Sequence, residues 1–150
     1  MAGAQYDPKA IIATIVSPLP GIGSHTITGY QDGTMLVAER NSDLNELTPG
    51  AQGDFAFTLK RDRSGTITLS LLQTSPSNAV LSQIALADQI SGQGVFSIQI
   101  KDNESGSVGG ATVAKIQKHS NMEFSNEITV REWIITCGEL NLLEDAYSAL

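Results

Sequence analysis

Aromatic residues are scarce in this chain: one tryptophan (Trp133), three tyrosines and four phenylalanines among 150 residues. They fall mostly at core-phase positions of strand-like runs, so a sugar-binding face of exposed rings is poorly supplied. Aliphatic and threonine side chains must carry most of the packing. The single cysteine, Cys137, excludes an intrachain disulfide and points to a reducing compartment. Basic residues are few, nine against sixteen acidic ones, for a formal charge of −7, and they are scattered. A surface that grips nucleic acid needs clustered cations to displace counterions. That function is disfavoured, whereas an acidic protein that merely lets DNA pass is compatible. No apolar run is long enough to span a bilayer, and Met1 to Lys9 lacks the apolar stretch of a signal peptide. The expectation is a soluble protein that is intracellular when made.

Residues with chemical potential are also sparse, and each has an ordinary explanation. His25 and His119 have no His or Cys at metal-ligand spacing and read as exposed loop histidines. Cys137 would need a histidine base to act as a nucleophile, and its place near the Trp133 strand suits a small buried hydrophobe. Gly21-Ile22-Gly23 lacks the third glycine, the following helix and the lysine of a phosphate loop. Asn103-Glu104-Ser105 matches a glycosylation acceptor with no secretory signal beside it. Glu144-Asp145 and the Asp43/Glu46 pair read as solvated surface. No catalytic, metal-binding or cofactor-binding residue is assigned, and no cofactor is expected.

What the chain does contain is alternation and turns. Fourteen glycines fall largely between strand-like runs, as turns require. Residues 1–8 read as a flexible arm. Ala10 to Val16 is apolar on both faces, a strand buried on both sides or one covered by a partner. Thr26–Tyr30 and Thr34–Arg40 read as a hairpin about Gln31-Asp32-Gly33. Asn41 to Gly53 reads as a long polar loop, longer than hairpin connections usually are. Phe55–Lys60 and Thr66–Leu71 both alternate strictly. They predict the strongest hairpin, with Phe55, Phe57, Leu59, Ile67, Leu69 and Leu71 in the core. Ser77–Ile90 is the one convincing helix, with Val80, Leu81, Ile84 and Ala87 on one stripe, Ser77 or Asn78 as its cap and Ser91-Gly92 as its stop. Val95–Ile100, Thr112–Lys118 and Glu127–Cys137 complete the sheet, and Glu139–Leu150 reads as a short helix or a tail. Seven or eight strands and one helix in a single domain, residues 1–150, imply a mainly β fold: a β-sandwich or partly closed barrel with one flanking α-helix.

Within this pattern, Asp32-Gly33-Thr34, Val37-Ala38-Glu39-Arg40-Asn41, the run Asp62 to Leu69 and Gln73-Thr74-Ser75-Pro76-Ser77-Asn78 occur in an order and spacing that resemble a tail-tube protein of contractile-tailed bacteriophages. A later strand ending near Glu132-Trp133 resembles that family too. The resemblance runs from about Gly29 to Ile135 and centres on Asp62 to Asn78. It implies a structural, non-enzymatic subunit of the virion tail, assembled in the host bacterial cytoplasm. It implies hexameric rings stacked into a hollow tube inside a contractile sheath, with DNA only in passage through the lumen. The implied partners are further copies of the chain, the tail sheath protein, the tape-measure protein, and the tail initiator and terminator proteins.

Two sets of residues follow as candidates. Thr58, Lys60, Thr66, Thr68 and Ser70, the polar face of the expected hairpin, are candidates for the channel wall, although Lys60 suits that wall only beside a pairing acid. Asn41, Asp43, Asn45, Glu46, Pro49 and Gln52, in the long loop, are candidates for contact with an adjacent subunit or ring. Two other classes compete with this reading: a secreted tube protein of a bacterial contractile injection system, and a small β-sandwich enzyme or binding module.

Overall fold

Alternating apolar and polar residues build strands through most of residues 3–147, the part of the chain that the computed structural model describes. Among these residues there are ten strands and one α-helix: β1 (Ile11–Ser17), β2 (Gly23–Thr26), β3 (Leu36–Arg40), β4 (Asn45–Pro49), β5 (Phe55–Leu59), β6 (Gly65–Leu72), α1 (Ser77–Ser91), β7 (Phe96–Asp102), β8 (Val108–Lys118), β9 (Val130–Cys137) and β10 (Asn141–Leu143). Eight strands form one antiparallel sheet in the order β2-β1-β7-β8-β9-β6-β3, with β10 also paired to β8. Strands β4 and β5 pair only with each other.

β10 prolongs β9. Cys137 lies opposite Ala114 and Asn141 opposite Gly110, the same step along each strand, so both run along β8 in one register. The sheet curls on itself, because strands far apart in its order share one core. Ala13 and Ile15 of β1, Ile67, Leu69 and Leu71 of β6, Phe96 and Ile98 of β7, and Trp133 and Ile135 of β9 all pack into it, joined by Leu81 and Ile84 of α1. The mainly β architecture with one flanking helix is therefore the one expected.

α1 buries Leu81 and Ile84 and stops at Gly92. Gly92 has φ 71°, a left-handed conformation that glycine adopts without a Cβ penalty, and its N–H reaches the Asp88 carbonyl. The helix start differs from expectation. Pro76 occupies the cap and offers no side-chain bond, while the preceding Ser75 Oγ accepts the Ser77 N–H (3.2 Å). Ser77 and Asn78 lie inside that turn, where their polar groups tie the helix to the sheet.

Both expected hairpins are replaced by other pairings. The backbone of residues 27–31 is taken by β1 and by the end of β6: the Ile27 N–H reaches the Ala13 carbonyl, the Leu72 N–H reaches the Gly29 carbonyl, and the Gln31 N–H reaches the Ser70 carbonyl. Thr26–Tyr30 therefore does not pair with Thr34–Arg40; β2 pairs with β1 and β3 with β6. β6 in turn has both edges occupied, by β3 and β9, and offers none to Phe55–Lys60. β5 turns instead to Asn45–Pro49, which is a strand and not part of a polar loop. Phe55, Phe57 and Leu59 are accordingly exposed and outside the core. At the C-terminal end the expected helix or tail is the short strand β10 followed by extended residues to 147; residues 148–150, like Met1 and Ala2 of the expected N-terminal arm, lie outside the described part. Within that arm Asp7 accepts the Lys9 N–H, and the Tyr6 ring packs edge-on against Tyr147 at 6.2 Å.

Candidate assembly surfaces

The chain leaves the sheet after Arg40 and returns at Gly65, and the root of this excursion is pinned. Arg40 Nε donates to the Leu140 carbonyl (3.1 Å), the Leu140 N–H donates to the Arg63 carbonyl (2.8 Å), and the Asn41 N–H donates to the Ser64 carbonyl (3.1 Å). A Cβ on Gly65 would lie 2.7 Å from Leu140 Cβ and 2.9 Å from the Glu39 carbonyl oxygen, so only glycine fits there. The Asn41 side chain bridges Ser64 and Thr66. Asp62 accepts from the Ser42 and Ser64 hydroxyls and the Ser64 N–H, and these bonds, Ser42's foremost, hold its carboxyl below the usual range.

Beyond this root, β4 and β5 form an arm closed by a bond from the Gly50 N–H to the Asp54 carbonyl (2.7 Å). Opposed residues in its ladder share a face: Asn45 with Leu59, Leu47 with Phe57, and Pro49 with Phe55 on one side; Glu46 with Thr58 and Thr48 with Ala56 on the other. One face is thus almost wholly apolar, with the Phe55 and Phe57 rings edge-on at 5.6 Å. The other is polar and carries a Lys60–Glu46 ion pair at 2.7 Å, which lowers the Glu46 pKa and raises that of Lys60. Every residue of both strands is exposed; Phe55, Phe57 and Leu59 stand at 66%, 67% and 62%. A lone two-stranded hairpin is marginal in water, and a contiguous apolar patch marks a contact surface.

The wall candidates are divided by this geometry. Thr58 and Lys60 belong to the arm, on its polar face. Thr66, Thr68 and Ser70 lie on the non-core face of β6, where Thr66 is flanked by Glu39 and Thr136, Thr68 by Val37 and Ile134, and Ser70 by Glu132. Ser70 is buried, because residues 29–35 run over the end of β6 and take both its backbone groups. The contact candidates fall together: Asp43, Asn45, Glu46, Pro49 and Gln52 all lie on the arm, and Asn41 lies at its root. Missing from them were Leu44, Leu47, Phe55, Phe57 and Leu59. Their signal was present in the sequence: Pro49-Gly50 and Gly53-Asp54 bracket a turn between two runs, Asn45–Pro49 and Phe55–Leu59, that alternate in step.

The two ends of the sandwich differ. At one end the start of α1 fills the space with a satisfied polar junction. Ser77 Oγ accepts the Thr28 N–H (3.0 Å) and bonds His25 Nε2 (2.9 Å), Trp133 Nε1 donates to Asn78 Oδ1 (2.9 Å), and Asn78 Nδ2 donates to the Leu72 carbonyl (2.9 Å). Elsewhere Ile11, Leu36, Ala38, Ile100, Leu142 and Leu143 line an open apolar groove of about 530 Å³ between β3 and the β1-β7-β8-β10 side. Asp102, Ser107 and Glu144 are its polar lining. The Asp102 carboxylate accepts from the Tyr147 hydroxyl (2.6 Å), the Ser105 hydroxyl and the Glu104 N–H (both 3.0 Å); the Tyr147 bond chiefly holds its pKa below the usual range.

His25 is not a loop histidine: it lies half-buried in β2. His119 is an exposed loop histidine just past β8, its ring tilted against Trp133 at 4.4 Å while its nitrogens bond the Ser82 hydroxyl and the Ser120 carbonyl. Cys137 is buried in the core, where burial pushes its thiol pKa up, the environment of an inert thiol.

The family profile described as Bacteriophage PhiTE tail tube protein matches residues 3–144. The chain belongs to this tail tube family. Structural protein ORF10 of Pseudomonas phage KPP10 is 32% identical over 140 residues, which span 91% of the chain and 80% of that protein. The tube fold itself extends to solved structures of much lower identity. The terminator of the sheath and tube of the extracellular contractile injection system PVC has a TM-score of 0.64 at 14% identity, covering 95% of this chain and 99% of that one. A chain of the anti-feeding prophage baseplate reaches 0.64 at 12% identity, covering 95% and 97%. A chain of the PVC sheath–tube complex reaches 0.57 at 14%, covering 93% and 92%. As a member of the tail tube family the chain is a structural protein of the phage tail and not an enzyme. No helix among the described residues is long and apolar enough to cross a membrane.

Proposed function

We propose that copies of this chain close into hexameric rings that stack into a hollow tube, enclosed by a contractile sheath, through which DNA passes into the host. The observation that carries this reading is the arm: a chain of the tail tube family that holds a complete apolar hairpin face in water. Such a face needs a partner, and in a homopolymer the partner is another copy. A contact between two different patches of one molecule propagates head to tail, closing into rings or continuing as a filament. The arm candidates Asp43, Asn45, Glu46, Pro49 and Gln52, with Asn41 at the root, are placed at this subunit contact.

The channel wall is proposed on the outer face of β6, at Thr66 and Thr68. Their direct strand neighbours, Glu39 and Thr136 beside Thr66 and Val37 and Ile134 beside Thr68, include one acid and no cation, which suits a passage that phosphates do not adhere to. Thr58 and Lys60 are assigned to the arm contact instead. The sheath, tape-measure, initiator and terminator proteins are the further partners, with assembly in the host bacterial cytoplasm. Solved relatives from injection systems include sheath–tube and terminator assemblies, which supports a sheath and a terminator here; the match to a phage family favours a virion tail over a secreted tube.

Negative-stain microscopy of the purified protein at rising concentration tests the reading. Rings and tubes are expected. Particles that stay single at every concentration, also when tail initiator is added, would overturn it.

A further inference from the structure

The molecule carries two incomplete apolar surfaces of different shape. One is convex: the arm face of Leu47, Pro49, Phe55, Phe57 and Leu59. The other is concave: the groove lined by Ile11, Leu36, Ala38, Ile100, Leu142 and Leu143, which is continuous with the core through the partly buried Leu36, Ala38 and Ile100. We propose that the arm of one subunit seats its phenylalanine face in this groove of the next subunit and so completes the neighbour's core. The inference rests on the arm being a subunit contact and adds the surface that receives it.

Three observations favour a second copy as the occupant. The arm face presents only Asn45 among apolar neighbours, so seating it brings no charge into the groove. Two acids line the groove: Asp102 already has three donors of its own chain and needs nothing from the arm, and Glu144 is exposed and keeps its water. In addition, β3 is the last strand of the sheet, so the groove is bordered by an edge with unpaired backbone groups, and such edges recruit further chains.

The polarity of the contact makes it testable with two defective variants. Phe57→Asp spoils the arm and leaves the groove; Leu142→Asp spoils the groove and leaves the arm. Leu142 is 41% exposed, so its substitution leaves the core intact, and Leu36→Asp serves as a second groove variant; circular dichroism checks folding of each. Each variant alone is expected to remain monomeric at concentrations at which the unmodified protein polymerises. An equimolar mixture is expected to give a 1:1 dimer by sedimentation, because one good arm meets one good groove and the chain of contacts stops there.

Normal tubes from both folded groove variants would overturn the groove while sparing the arm, provided Phe57→Asp blocks growth. Tubes from Phe57→Asp as well would remove both readings. A mixture that stays monomeric, with both variants folded, would overturn the pairing of these two surfaces.

Discussion

Phe55-Ala56-Phe57-Thr58-Leu59 and Ile67-Thr68-Leu69-Ser70-Leu71 carry the same pattern twelve residues apart, and they meet opposite fates. In β6 the three apolar side chains are 0% exposed; in β5 each is more than 60% exposed. Alternation states that one face of a strand must be covered, and it does not state by whom. β6 sits between β3 and β9 and under the core of its own chain. Among the described residues β5 has one partner, β4, and its apolar face has none. One sequence pattern therefore serves folding in one strand and, in the proposed assembly, association in the other.

This contrast is most exposed to test at matched substitutions. Leu69→Ala removes a fully buried side chain and should destabilise the monomer by about 2–5 kcal/mol, seen as a lowered midpoint in urea. Phe57→Ala, a larger truncation, should shift that midpoint by less than about 0.5 kcal/mol, as for surface positions generally, yet it should abolish tube growth. Equal losses of monomer stability would mean that β5 has a partner within its own chain. A smaller difference separates two polar sites. Asn78→Ala leaves the buried Trp133 N–H without its acceptor and the Leu72 carbonyl without its donor, a loss of about 1–3 kcal/mol. Glu46→Gln breaks the ion pair with Lys60 on the exposed arm and should leave the melting temperature unchanged. The smallest effect is expected at Tyr30, whose buried hydroxyl has no hydrogen-bond partner among the described residues and whose pKa burial pushes up to about 12. Tyr30→Phe should be neutral or slightly stabilising by thermal melt; a clear loss would reveal a partner for that oxygen.

Much of the core was legible in the sequence. The α1 stripe, the Gly92 stop and the strands at Ile11, Phe96 and Trp133 follow from periodicity and turn chemistry, which act locally. Pairing was less legible, because it depends on which edges remain free. Asp32-Gly33 has hairpin chemistry, but the chain around it satisfies its backbone on β1 and β6 first. Phe55–Leu59 had no edge of β6 to join once β3 and β9 had taken both. β10 was missed because three residues are too short for a periodic signal; its register is inherited from β9 across residues 138–140. Ser77 and Asn78 have cap chemistry, and their side chains serve Thr28, His25, Trp133 and Leu72 instead, a tertiary use that spacing alone does not reveal. The segment after Arg40 stood out by its length and is the surface proposed for assembly, while its apolar half was assigned to the core for the reason given above.

Hydrogen exchange of the β4 and β5 amides, measured on the free protein and on assembled tubes, addresses the central claim most directly. An arm covered only by another copy should exchange within the fastest class of amides in the free protein and become strongly protected in the tube, while the β6 amides stay protected in both. Arm amides that exchange equally fast in tubes and in free subunits would contradict the account.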